Sequence, residues 1–298
     1  MSPAHWGSAE ERLSCSERLR RRRLAGSAFA VVSAAATCFG VLALVGLLGY
    51  LIGSGAGRLD LDFLTRFASR VPDLAGVRAP LVGSIVVVAS ATLLALPIAI
   101  GAAVYLEEYA PRTIWTRMIR ANIATLAGVP SIVYGLLGLA IFVRFLGLGR
   151  SVLSGAATLA LLVLPILVIA AQEAIRAVPD SVREAAYGLG ATRWQVVRHQ
   201  VLPLALPGIL TGAILAVGRA VGETAPLILV GAAGYLAFTP TGPGDEFTVL
   251  PLQIFSWIQR PEEGFRELAA AAILVLLLLL LTLNAVAILL RHRAETRT

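Results

Sequence analysis

Residues 268–290 read LAAAAILVLLLLLLTLNAVAILL, 23 positions without a charge, closed by Arg291. At 1.5 Å per residue such a helix crosses the ~30 Å hydrocarbon core of a bilayer. Working outward, five further stretches read the same way: residues 24–53, 79–106, 121–143, 151–171 and 207–231. Only the last carries internal charges, Arg219 and Glu223. Composition agrees, with 57% of the 298 residues hydrophobic, 14% charged and a mean hydropathy of +0.81. That is too little polar surface for a water-soluble fold of this length. The expectation is an all-α integral membrane protein with six transmembrane helices.

The residue inventory excludes whole classes of chemistry. No lysine occurs, so all 25 Lys+Arg positions are arginine. A Walker A loop needs its lysine on the nucleotide phosphates, and Schiff-base catalysis needs a lysine amine. Cys15 and Cys38 form neither a disulfide framework nor a C-x-x-C site, and His5, His199 and His292 are scattered. No metal site, catalytic set or bound cofactor is therefore expected. The pI of about 10.2 reflects arginines flanking apolar spans rather than a nucleic-acid surface.

With the amino terminus inside, sixteen arginines fall in the inner segments and eight in the outer loops. That bias places both termini in the cytoplasm. Four consecutive arginines, Arg20 to Arg23, precede the first apolar run. The run is far longer than the ~7–15 residues of a signal-peptide core, which makes it a retained helix. The resulting organisation is a basic cytoplasmic tail (1–23), a first transmembrane helix (24–53), a five-helix core (79–290) and a second cytoplasmic tail (291–298).

The inner loop at residues 178–203 is more than a connector. Pro179 ends the preceding helix, and Asp180 or Ser181 offers an N-cap for a new one. Arg183, Glu184, Ala185 and Ala186 lie in a short helix over 182–188, which Gly188 and Gly190 stop. The two alanines let a partner backbone approach closely, with Arg183 and Glu184 supplying charge beside them. The rival reading is an amphipathic helix lying on the lipid headgroups.

Arg219 and Glu223 are four residues apart, on one face of a continuous helix. A charge at mid-membrane costs roughly 2.5–3.5 kcal/mol on insertion scales and faces protein or water. The pair either locks two helices together or serves an anion. Arginine suits bidentate oxyanion recognition, and a neighbouring glutamate keeps such an anion from being trapped. Thr224 adds a hydroxyl, and Pro226 removes a backbone donor and kinks the helix. Ser131 and Tyr134, one turn apart, either line the same pathway or pack helices.

These residues carry a resemblance. Glu184-Ala185-Ala186, Gly190 and Leu202-Pro203 resemble the EAA loop through which ABC-importer permeases dock their ATPase, with Gln200 where an isoleucine is usual. Gly222-Glu223-Thr224-Ala225-Pro226 resembles the signature of phosphate ABC-transporter permeases of the PstA type, and Gly128-Val129-Pro130-Ser131-Ile132-Val133 is similar to another motif of that family. Tyr105-Leu106-Glu107-Glu108-Tyr109 and Leu250-Pro251-Leu252-Gln253-Ile254 match as well, so the likeness spans residues 81–290. It implies a type I ABC-importer, MetI-like fold with a cytoplasmic coupling helix. Implied partners are a PstC-type permease, a PstB-type ATPase dimer holding the ATP and Mg, and an extracytoplasmic PstS-type phosphate-binding protein. The implied setting is the inner membrane, with lipid as neighbour and no nucleic acid. Some relatives carry an arginine where this chain has Ile169-Ala170-Ala171, which places more of the anion recognition on Arg219 or on the partner.

In the outer loops, residues 58–78 read as short amphipathic pieces. Residues 247–260 are too short to span and read as interfacial or re-entrant; the resemblance implies an outer face that docks a substrate-binding protein, and the other reading makes Trp257 an aromatic anchor in the headgroups. Two rivals of other classes remain. An intramembrane enzyme lacks a His or Asp beside the charged pair, and a secondary transporter lacks internal repeats between the two halves. Sulfate or molybdate is the alternative cargo within the ABC class.

Overall fold

The computed structural model describes residues 9–295; the ends of both expected tails, residues 1–8 and 296–298, lie outside the described residues. Among the described residues the chain is helical throughout, with no strand. It divides into two compact units, residues 1–53 and 54–298.

The first unit is essentially one helix, α1 (Ala9–Gly55), which begins inside the basic tail rather than at residue 24 and ends just past the unit boundary. Charged residues are good helix formers in water, so the hydrogen-bond ladder has no reason to start at the membrane surface. Its membrane segment leaves Phe29, Val32 and Phe39 exposed.

In the second unit, two short pieces, Ala56–Arg58 and α2 (Leu61–Thr65), lead to α3 (Arg78–Val104). Helix α3 runs on as a π-helical turn, Tyr105–Tyr109. Next come α4 (Ile114–Leu126) and α5 (Ser131–Gly138), the latter continued in π form through Phe145. Helix α6 (Val152–Arg176) is followed by α7 (Asp180–Gly188) and the single turn α8 (Arg193–Val196). A π stretch, Val197–Val201, joins α8 to α9 (Leu202–Gly222). The chain ends with α10 (Ala225–Val230), α11 (Leu250–Ile258) and α12 (Glu263–Glu295).

Five helices are long and apolar enough to cross a membrane, six when the pair α4 and α5 counts as one broken span. The sixth crossing, expected as one helix over 121–143, is thus two helices meeting at 101°. Pro130 lacks an N–H and disfavours helical geometry at Val129, so the ladder stops at Leu126 and restarts at Ser131. The Tyr134 hydroxyl donates to the Leu126 carbonyl at 2.8 Å and satisfies one acceptor left by the break.

Helices α3, α6 and α9 form the centre. Gly208 and Gly212 of α9 lie against Ala174 and Ala170 of α6, and a methyl group at Gly208 would come within 2.8 Å of the Ala174 Cβ. Small residues four apart on both helices let the backbones meet without polar contacts. A second cluster buries Phe63, Val77, Leu250, Trp257, Phe265 and Leu268. Trp257, expected as a headgroup anchor, is fully buried there, packed between Phe63 and Phe265. An amphipathic turn beside a larger apolar surface gains more by folding onto protein than onto the interface. Helix α11 is held to α3 by Ser84, whose Oγ accepts the Leu250 amide at 2.8 Å.

Candidate functional site

The charged run does not form one helix. Helix α9 stops at Gly222, and Glu223 is extended, with φ −76° and ψ 127°. Pro226 explains the stop, since its ring would clash with the carbonyl four residues back, that of Gly222. The expected kink is therefore a full break, lying three residues before the proline. Arg219 and Glu223 still meet, Arg219 Nε donating to Glu223 Oε1 at a long 3.3 Å across the helix end. Arg219 is 44% exposed and Glu223 16%. Among the described residues the two Nη groups of Arg219 make no hydrogen bond, which leaves most of its five donors available.

Helix α10 carries the break onto α5. A Cβ at Gly135 would lie 2.6 Å from the Pro226 Cα, so only a glycine permits this approach. Tyr134 directly precedes that contact and Ser131 lies one turn before it, on the helix that α10 packs against. Arg219 is near enough to act electrostatically on Tyr134. Ser131, Glu223 and Thr224 are half-buried and Tyr134 is buried, its hydroxyl turned to Leu126.

At the opposite end of α9 lies the loop helix. Helix α7 starts at Asp180 and its N-cap is Pro179, with no side-chain cap bond, so neither Asp180 nor Ser181 is the cap. Asp180 instead sits in the first turn, where its charge favours the helix dipole. The other end closes as a Schellman motif. Gly190 N donates to Tyr187 O at 2.9 Å and Ala191 N to Ala186 O at 3.1 Å, with Gly190 at φ +82°. Thr192 and Gln195 then form a capping box for α8.

Arg183 turns inward. It donates to Glu108 Oε1 at 2.9 and 3.1 Å and to the carbonyls of Val178 and Ile175 at 2.7 and 2.9 Å. It thus clamps α7 to the end of α3 rather than presenting charge outward. Glu184 and Ala185 are exposed, Ala186 half-buried. Ala185, Ala186, Val182, Leu189 and His199 line an open groove of about 600 Å³. Leu189, 91% exposed, is a knob that the sequence reading passed over; its signal was an apolar residue set between two glycines. Leu202 and Pro203 are half-buried at the start of α9. Gln200, the departure from the usual isoleucine, is exposed, while Val201 is fully buried.

Glu107 and Glu108, inside the Tyr105–Tyr109 motif, tie helices together in a way the local sequence does not reveal. Glu107 accepts from Arg120 at 2.6 Å, from Gln172 at 2.8 Å and from Arg176 at 2.9 Å through two nitrogens. The two adjacent carboxylates of α3 thus tie α4, α6 and α7 together at one end of the bundle.

With this geometry in place, known proteins give the context. Residues 95–297 match the family described as binding-protein-dependent transport system inner membrane component. The chain belongs to that family. It is 38% identical over 232 residues to the probable ABC transporter permease YqgI of Bacillus subtilis, covering 76% of each chain. It is 36% identical to the phosphate transport system permease PstA 1 of Mycobacterium tuberculosis H37Rv, covering 74% of this chain and 71% of the relative. It is 33% identical to PstA of Xylella fastidiosa, covering 92% and 96%. Among solved structures, an inward-facing MetNI methionine ABC transporter superposes with a TM-score of 0.57 at 16% identity, covering 71% of this chain and 93% of that one. A bacterial importer of alginate superposes with 0.58 at 14%, covering 94% and 99%. At such identities the likeness is one of fold, the MetI-like ABC-importer permease fold. The family is one of transport components, not of enzymes.

Proposed function

We propose that this chain is the transmembrane permease subunit of an ATP-driven inorganic phosphate importer. It forms half of a translocation pathway and is moved by an ATPase that grips α7. The observation that carries the proposal is Arg219, an exposed guanidinium with unused donors at a helix break, restrained by one long contact to Glu223. Phosphate offers the oxygens that such a fork engages in pairs, and the weak glutamate contact lets the anion compete for the guanidinium and then leave. The relatives named as phosphate permeases support this cargo.

The chain performs no covalent step. Its partners on this reading are a PstC-type permease, a PstB-type ATPase dimer and an extracytoplasmic PstS-type phosphate-binding protein. It lies in the inner membrane with both termini cytoplasmic. The exposed Glu184–Ala185 surface, the groove beside it and Leu189 are the face offered to the ATPase.

Uptake of labelled phosphate into proteoliposomes holding the assembled complex tests the reading. ATP-dependent phosphate uptake is expected, with sulfate and molybdate failing to compete. Arg219→Gln abolishes uptake while the complex still assembles, and Arg219→Lys, without the planar fork, recovers only part. Normal uptake by assembled Arg219→Gln, or equal uptake of sulfate, refutes it.

A further inference from the structure

Beside the Glu107 hub lies a cavity of about 480 Å³ lined by Arg112, Arg117, Arg120 and Arg176, with Glu107 and Thr116. Four guanidiniums face one carboxylate, leaving three positive charges in excess. Glu173, which pairs with Arg176 at 2.9 Å without lining the cavity, reduces the excess to two. Arg120 and Arg176 are fixed by Glu107. Arg112 and Arg117 are exposed, and among the described residues neither guanidinium has a hydrogen-bond or ion-pair partner. The cavity is thus a preorganised cation cluster with two arginines still to be paired, and a phosphate oxyanion is the group that several guanidiniums satisfy together.

Helix α4 says where that phosphate comes from. Ile114, Trp115, Met118 and Ile119 form one exposed apolar stripe, with Trp115 at 71%. Arg117 and Arg120 lie on the opposite face, toward the cavity. Helix α4 also meets the stretch Ser131–Phe145 at 101°, so it turns sharply away from that apolar stretch instead of extending it in line. An amphipathic helix with this division of faces, set at a membrane surface, buries its apolar face at the acyl boundary and holds its cations at headgroup depth. We propose that this cavity binds the phosphate of an anionic phospholipid headgroup, which bridges Arg112 and Arg117 to the Glu107 cluster.

The assembled transporter, purified in detergent, is titrated with phosphatidylglycerol or phosphatidylcholine, and retained lipid is counted by native mass spectrometry. The wild type retains phosphatidylglycerol in clear preference. Arg112→Gln/Arg117→Gln, which removes no internal hydrogen bond, binds it roughly ten- to thirtyfold more weakly, with phosphatidylcholine unaffected. Equal retention of both lipids by the wild type, or an unchanged preference in the double variant, overturns the proposal. Displacement of the lipid by millimolar inorganic phosphate assigns the site to the free anion instead. Loss of the co-purifying ATPase from the double variant, with lipid retention intact, makes the cavity part of the docking face and equally ends it.

Discussion

Arg183 shows how little a residue's type says about the direction it faces. Read along the chain it sits beside Glu184 as one of two charges offered to a partner, yet all of its nitrogens are taken up by Glu108, Asp180 and two carbonyls. Glu108 and Arg183 are both largely buried, so removing one leaves the other desolvated and unpaired. Glu108→Gln is expected to lower the thermal stability of the complex by about 2–3 kcal/mol and to reduce phosphate-stimulated ATP hydrolysis. Glu184→Gln, at an exposed position, should leave stability unchanged and alter only ATPase binding. Comparing melting curves with pull-down of the ATPase separates the two. Gly190 is a residue of another kind. At φ +82° a β-carbon is strained although the space around it is open, so Gly190→Val weakens the end of α7 by roughly 1 kcal/mol or more through backbone strain alone.

Among elements, the segment before α11 behaves as a cap. The carbonyls of Asp245 and Pro243 accept the amides of Val152 and Leu153 at 2.9 Å, satisfying the first turn of α6. That segment is itself held by the Asp245 carboxylate, which accepts from the backbone amides of Gly242 and Thr241, each at 2.8 Å. The Gly242 amide first, then that of Thr241, holds its pKa below the ordinary carboxylate range. A depressed pKa adds stability at pH above the unfolded value, and that stability fades as pH falls through the folded value. The protection factors of the Thr241 and Gly242 amides, measured against the intrinsic exchange rate at each pH, should therefore fall on acidification, and Asp245→Asn should remove that fall. A protection factor flat across the acid range in the native chain would contradict this.

In the second unit, stability of the membrane bundle depends on the α6–α9 contact, where Gly208 and Gly212 receive Ala174 and Ala170. A Cβ at Gly212 would lie 2.3 Å from the Ala170 Cβ, so bulk added on either side of this contact crowds the two helices. Ala170→Arg is expected to cost about 3 kcal/mol or more, through overpacking and a buried charge, seen as loss of folded complex in detergent. Gly212→Leu should fail in the same way, whereas Leu215→Ala, at an exposed position of α9, should be tolerated.

The sequence by itself determined the membrane class, the number of crossings and the position of the loop helix. Each depends on local quantities: the length of an apolar run, the placement of arginines, the glycines and prolines that punctuate helices. It also located Arg219 and Glu223, because a charge in an apolar run is conspicuous wherever it falls. Only the tertiary structure decided that Trp257 is core rather than anchor, and that Glu107 and Glu108 join three helices. Those outcomes depend on which surfaces meet, and partners 65 to 75 positions away along the chain, such as Gln172, Arg176 and Arg183, leave no mark on the local pattern.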